Sequence, residues 1–247
     1  MIFNLFKSKP NLIELIPKGY VDIHSHILPG VDDGAKNIKE SINLISEMNK
    51  IGFKKIIATP HTYPGLYENT NESIKKSFNN IQSKISKDNK ISYASEYMVD
   101  DSIRERVKNK SILTLKENYV LIEMSFFSKS EIIYEIIFFL LHNNYVPVLA
   151  HPERYLYFEE NLKEFYKLKS RGCLFQLNLL SLTGFYGKRV LKLSDKLITN
   201  NLFDFSGSDI HNMHHVNALK KGKVLKFNEN KEKKILDLNE NNIRIFG

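Results

Sequence analysis

The chain has 247 residues, of which 42% are hydrophobic and 26% charged with both signs dispersed; this is the profile of a folded globular protein and excludes a disordered one. The formal net charge of +8 is scattered over helix-like segments, with no array of aromatics and arginines suited to stacking on bases, so a nucleic-acid partner is not expected. A single cysteine excludes a disulfide framework and a multi-cysteine zinc module, and no apolar run approaches the roughly 20 residues of a membrane-spanning helix.

The first residues place Ile2, Leu5 and Phe6 beside Lys7 and Lys9 but lack the basic-then-apolar order of a secretory signal. A cytoplasmic location is therefore expected, and 1–19 reads as an N-terminal extension without an assigned role. Residues 21–24 read as a first strand. Over 38–51 the spacing puts Ile42, Leu44, Ile45, Met48 and Ile51 on one helical face, with Gly52 as the stop. Residues 55–59 read as the next strand. Ile74, Phe78, Ile81 and Ile85 mark an amphipathic helix over 71–87 that leads to a strand at 91–96.

Further strands are expected at 119–124, 146–150, 174–178 and 203–206, separated by helices near 130–143, 162–171 and 186–200. About seven βα units thus fill 1–247 as one domain of α/β class, with no linker or repeat to divide it. A closed α/β barrel fits best. An open doubly wound sheet is the alternative, but the first turn, 28–34, lacks the Gly-rich phosphate-binding pattern. Cys173 opens an apolar strand, and Leu179 stands where a cysteine phosphatase would carry its phosphate-clamping arginine, so Cys173 reads as buried structure.

Candidate ligands fall where these strands end. His24 and His26 follow the first, His61 the second, Glu96 the third, Glu123 the fourth and His151 the fifth, while Asp209 and His211 follow the last. A closed barrel would gather them on its C-terminal rim, where barrel active sites lie. In His-x-His and Asp-x-His on a strand, the period of two returns both side chains to one face. An isolated histidine beside a strand is more often plain structure than a ligand, yet five of the eight histidines occupy these strand ends, whereas His142 lies within a helix. With Asp33 added, the mixed imidazole and carboxylate donors exceed what one ion can use, which implies two or three ions of the Mn, Fe, Zn or Co kind. Asp22 points to the other side and reads as buried support for the loop.

The segments Asp22-Ile-His-Ser-His-Ile-Leu-Pro-Gly-Val-Asp-Asp-Gly34, Ala58-Thr-Pro-His61, Leu121-Ile-Glu123, Ala150-His-Pro-Glu-Arg-Tyr155 and Ser208-Asp-Ile-His211 together resemble the PHP-type bacterial protein-tyrosine phosphatases of capsular and exopolysaccharide synthesis. The resemblance runs from about Tyr20 to about His215 and includes the stretch 178–187. It implies a distorted (β/α)₇ barrel and a trinuclear manganese centre held by His24, His26, Asp33, His61, Glu96, Glu123, His151, Asp209 and His211, with Glu123 bridging two ions. Arg154 matches the family's phosphate-binding arginine; Arg154, Asp209 and His211 are the expected catalytic residues. Many members carry a second arginine shortly after the Asp-x-His pair. Here 212–216 is Asn-Met-His-His-Val, and His214 or His215 is expected to supply the charge or proton instead.

The reaction implied is hydrolysis of a phosphate monoester without a covalent enzyme intermediate, through a water ionised by the clustered ions and attacking in line. The substrate implied by the resemblance is phosphotyrosine on a membrane-associated tyrosine kinase that controls polysaccharide export. Competing readings are a small-molecule phosphatase of the histidinol-phosphate kind, a nuclease of the same fold, or a metal-binding regulatory protein without turnover.

Overall fold

Parallel strands built from short apolar runs and separated by amphipathic helices make up most of the molecule. The computed structural model describes residues 9–86, 89–226 and 228–247. The cluster Ile2, Leu5, Phe6 and Lys7 lies outside them, as does the last residue of the helix expected over 71–87. The strands are β1 (Tyr20–Asp22), β2 (Phe53–Ala58), β3 (His61–Thr62), β4 (Lys90–Tyr93), β5 (Glu96–Met98), β6 (Tyr119–Glu123), β7 (Val146–Ala150), β8 (Leu174–Asn178) and β9 (Phe205–Gly207). They pair in parallel in two sheets, β1-β2-β4 and β3-β5-β6-β7-β8-β9.

Two of these junctions are interruptions within one path. Ala58 pairs with Tyr93 and His61 with Glu96, the same offset on both sides of the break. Pro60 lies between β2 and β3 and has no N–H to give the ladder, while its carbonyl still accepts from Glu96 N at 3.1 Å. Counting β2 with β3 and β4 with β5, the chain passes through seven strand positions, as expected. The ring is distorted at the seam between β1 and β9. There a single parallel bridge, Ser25 to Ile210, joins the strand ends, with His26 N donating to Ile210 O at 2.9 Å and Asp209 N to His24 O at 2.8 Å.

Below that bridge the seam is filled from outside. Helix α8 (Glu229–Phe246) inserts Asn242, whose amide donates to Val21 O at 2.9 Å and Ser206 O at 2.7 Å and accepts from Ser206 N at 3.2 Å. One side chain therefore takes the place of missing ladder bonds between two strands. The other helices are α1 (Ile38–Ile51), α2 (Asn71–Gln82), α3 (Ser102–Lys108), α4 (Ile133–His142), α5 (Leu162–Ser170), α6 (Lys188–Thr199) and α7 (Met213–Lys221). Helix α1 starts where Asn37 accepts from Glu40 N and stops where Gly52 turns left-handed at φ 117°, burying Leu44, Ile45 and Met48.

The sequence-based boundaries shift by a few residues: β9 begins at Phe205, α2 ends at Gln82, and α4 starts at Ile133. Helices α3, α7 and α8 were not anticipated. Cys173 is fully buried beneath α5, and burial pushes its thiol up to about 12, which removes it as a nucleophile. No helix among the described residues is long and apolar enough to cross a membrane.

Candidate metal centre

The candidates lie toward the C-terminal ends of the strand paths, His61 opening β3 and Glu96 opening β5 beyond the two interruptions and Asp33 in the turn after β1, and the structure brings all nine together. They form four overlapping groups whose donor atoms lie within 4.8 Å of one another: His26, Asp33, His61 and His211; His24, His151 and Asp209; His24, His26 and Glu96; and His61, Glu96 and Glu123. Period two puts His24 and His26 on the inner side of the first strand with their Nε2 atoms 3.2 Å apart. His24 Nε2 is 3.1 Å from Glu96 Oε2 and 3.4 Å from Asp209 Oδ1. Glu96 Oε1 is 3.2 Å from His151 Nε2, and His61 Nδ1 is 2.7 Å from Glu123 Oε1.

Close packing underlies this convergence. A side chain at Gly34 would strike His26, its Cβ falling 2.0 Å from the His26 carbonyl oxygen, and one at Gly207 would fall 2.8 Å from His24 Cβ. His151 and Asp209 adopt left-handed backbone, at φ 34° and 52°, so two candidate ligands are held in conformations that cost a non-glycine residue energy. Asp22 sits behind the site, as expected, accepting from Ser208 N at 2.8 Å and Ser208 Oγ at 2.5 Å; burial lifts its carboxyl to about 6.

Residues that sequence reasoning left without a role orient the imidazoles. Asp32 Oδ2 accepts from His26 Nδ1 at 2.7 Å, and Gln176 Oε1 accepts from His24 Nδ1 at 2.8 Å. Both bonds fix the tautomer that leaves Nε2 as a lone pair directed into the cluster. The Asp209 carbonyl does the same for His211 Nδ1, at 2.9 Å. A signal for Gln176 was present: with Asn178 it gives two fully buried polar residues at alternate positions of an otherwise apolar strand. Asp32 had no such signal, being one of two neighbouring acids in a turn.

Among the described residues the buried His151 Nδ1 has no hydrogen-bond partner, and His61 Nδ1 and Glu96 Oε1 meet only Glu123, Glu96 and His151 in close contacts that are not well-aligned hydrogen bonds. Unpaired polar atoms at such depth are costly unless something else binds them, and imidazole with carboxylate is a donor set suited to divalent transition metals. The electrostatics agree. Burial and His26 oppose a charge on His61, yet Glu96 and Glu123 raise its imidazole to about 10. Burial opposes ionisation of Asp33, yet His211 and His61 hold its carboxyl at about 2. His151, by contrast, is pushed down to about 4 by burial, leaving a neutral ring. The clustered acids call for positive charge, which protons or cations can supply.

His24, His26 and Glu96 form a solvent-excluded floor, whereas the Asp33 side chain is 53% exposed, so access is from the Asp33, His61 and His211 side. That side opens into a cleft of about 260 Å³ lined also by Phe126, Arg154, Tyr186, Asn212 and His215. Arg154 Nη1 donates to Asp209 Oδ2 at 2.9 Å, and its guanidinium lies between two rings, 4.2 Å from that of Phe126 and 4.4 Å from that of Tyr186. Asn178 Nδ2 donates to the same Asp209 oxygen at 2.8 Å. Of the two histidines in 212–216, His215 lines the cleft, with Nδ1 3.1 Å from Asp209 O, while His214 packs on Phe185 outside it.

Comparison with known proteins places this arrangement. The family model described as capsular polysaccharide synthesis, CpsB/CapC, matches residues 20–243. The chain belongs to the CpsB/CapC family. Within that family it is 38% identical to CapC of Staphylococcus aureus over 200 residues, covering 78% of this chain and 77% of CapC. It is 31% identical to tyrosine-protein phosphatase YwqE of Bacillus subtilis over 197 residues, 78% of each chain. The crystallographic work on YwqE and on CpsB of Streptococcus pneumoniae, described as unique metal-dependent tyrosine phosphatases, provides a solved family structure. It matches with a TM-score of 0.78 at 28% identity, over 92% of this chain and 94% of the other. All nine candidate ligands and Arg154 fall within the span matched by the CpsB/CapC family model.

Proposed function

We infer that this protein is a metal-dependent protein-tyrosine phosphatase of capsular polysaccharide synthesis. The carrying observation is that Arg154 lines the same cleft as six of the nine converging imidazole and carboxylate donors, the other three, His24, His26 and Glu96, lying buried beneath them. We assign His24, His26, Asp33, His61, Glu96, Glu123, His151, Asp209 and His211 as the residues that would hold two or three divalent ions, with Mn²⁺ as the metal; Glu96 belongs to two of the four donor groups and Glu123 to one. Bound there, the ions would supply Lewis-acid charge and lower the pKa of water near phosphorus.

The chain's own residues do the rest. Arg154 presents planar N–H donors to the phosphoryl oxygens, and its stacking between Phe126 and Tyr186 fixes that plane before substrate arrives. Asp209 orients Arg154 through its carboxylate and His211 through its carbonyl, so it couples the phosphate-binding and metal-binding halves of the site. Phenolate is a modest base, so protonation of the leaving group is less demanding than for an alkyl ester; His215 lines the cleft, where burial and His211 push its imidazole down and disfavour the protonated form. From the family resemblance we propose phosphotyrosine on a membrane-associated tyrosine kinase as the substrate.

With protein stripped by chelator, hydrolysis of p-nitrophenyl phosphate and of a phosphotyrosyl peptide should vanish and return on adding Mn²⁺. Histidinol phosphate and single-stranded DNA should be turned over at least about a hundredfold more slowly, given a cleft whose arginine is walled by aromatic rings. Metal-independent turnover, or preference for either alternative substrate, would sink this reading.

A further inference from the structure

We propose that Phe127 is a docking residue for the polypeptide that carries the phosphotyrosine, receiving an apolar side chain next to it in the substrate sequence. The inference rests on the phosphatase reading and adds the chemistry of the flanking chain. Phe127 is 95% exposed, the most exposed of the large apolar side chains among the described residues. Single exposed apolar residues are ordinary, so the placement carries the argument. Six large apolar side chains are exposed among the described residues, and three of them, Leu66, Phe126 and Phe127, lie on two loops that leave the strand ends bearing His61 and Glu123.

The exposure of Phe126 has an explanation, since its ring carries Arg154 at 4.2 Å; Phe127 has none among the described residues. Nor is its segment loose. Phe127 N donates to Ser125 Oγ at 3.2 Å, Tyr157 OH donates to Ser125 O at 3.1 Å, and Ser130 Oγ donates to Val99 O at 3.4 Å. The neighbouring Lys129 is pinned to Glu164 at 3.0 Å. An aromatic ring is thus held in water one residue from the ring that backs the phosphate-binding arginine. A free phosphate ester of tyrosine is small and would be met by the cleft; only the chain on either side of it extends past Phe126, which lines the cleft, to the neighbouring Phe127. The occupant that this continuity selects is an apolar peptide side chain adjacent to phosphotyrosine.

The test uses the full chain loaded with Mn²⁺, with kcat/KM measured on p-nitrophenyl phosphate and on two phosphotyrosyl peptides that carry Leu or Ser on both sides of the phosphotyrosine. The native protein should prefer the Leu peptide about tenfold, through KM, the order expected for burying one aromatic contact. Phe127→Ser should abolish that preference and lower the ratio of peptide to p-nitrophenyl phosphate activity by a similar factor, and Phe127→Leu should restore most of it. Equal use of both peptides by the native protein, or a preference that survives in F127S, overturns the proposal. A native protein that turns over neither ester refutes the phosphatase reading itself, a result distinct from either of those.

Discussion

Asp32 illustrates how a residue outside the proposed ligand set can govern it. Its Oδ2 accepts both from His26 Nδ1 and from the His61 backbone N–H at 3.1 Å, and its Oδ1 accepts from Gly34 N at 3.0 Å. Asparagine keeps the shape but removes the carboxylate charge that strengthens the bond from His26 Nδ1 and must face an NH₂ toward at least one of these donors, so the hold on the His26 tautomer and ring weakens. Asp32→Asn should raise the Mn²⁺ concentration for half-maximal activity by about 10- to 100-fold, the usual consequence of losing such a partner. Activity titrations against Mn²⁺ check this; an unchanged midpoint would remove Asp32 from the centre. The candidate ligands other than Asp33 were legible in the sequence because their chemistry and their strand-end spacing coincide. Asp32 was not, because a turn contains no periodicity to say which of two adjacent acids faces inward. Phe126 and Tyr186 were hidden for a related reason: they act on Arg154 from other loops, and no spacing along the chain encodes that stacking.

At the scale of elements, the strands and the helices with regular apolar stripes were legible. The residues 146–150 and 174–178 form the strands that their apolar runs predict, and α1 ends at Gly52 as expected. Helix α8 was concealed by what it buries. Its inward face includes Lys231, Asn239 and Asn242 beside Ile235, Leu238 and Phe246, so the hydrophobic period is broken by the two asparagines at the seam and by Lys231, which pairs with Asp195. Asn239 donates to Leu15 O at 2.6 Å and accepts from Ser206 Oγ at 2.6 Å, and Asn242 bonds both β1 and β9. Asn242→Leu would retain apolar contact yet leave Val21 O and the Ser206 backbone groups buried without partners. We expect a loss of about 3 kcal/mol in unfolding free energy, from two or three unmet hydrogen bonds, measured by urea denaturation. A loss below about 0.5 kcal/mol would mean that the seam does not depend on this side chain.

For the molecule as a whole, the candidate centre links metal, protons and folding. Four carboxylates and five imidazoles converge at one end of a barrel whose wall is not continuously hydrogen-bonded at the β1–β9 seam. In metal-free protein, positive charge on imidazoles such as His61 offsets the acids. The His61 pKa is raised to about 10, so its contribution is fully present below its unfolded value near 6.5 and is lost as pH rises toward about 10. Metal binding has the opposite pH dependence, because the imidazoles must give up their protons to coordinate. Raising pH across this window therefore weakens the metal-free fold while strengthening its affinity for the ion. The increase in Tm produced by a fixed excess of Mn²⁺ should grow from pH 6.5 to pH 9, and binding at pH 7 should release protons, seen as a buffer-dependent calorimetric heat. At a hundredfold excess over Kd the stabilisation is about 2.7 kcal/mol, several degrees in Tm for a chain of this size. A shift that is independent of pH, or that shrinks as pH rises, would separate the titrating cluster from the metal site and leave the imidazoles with a structural role only.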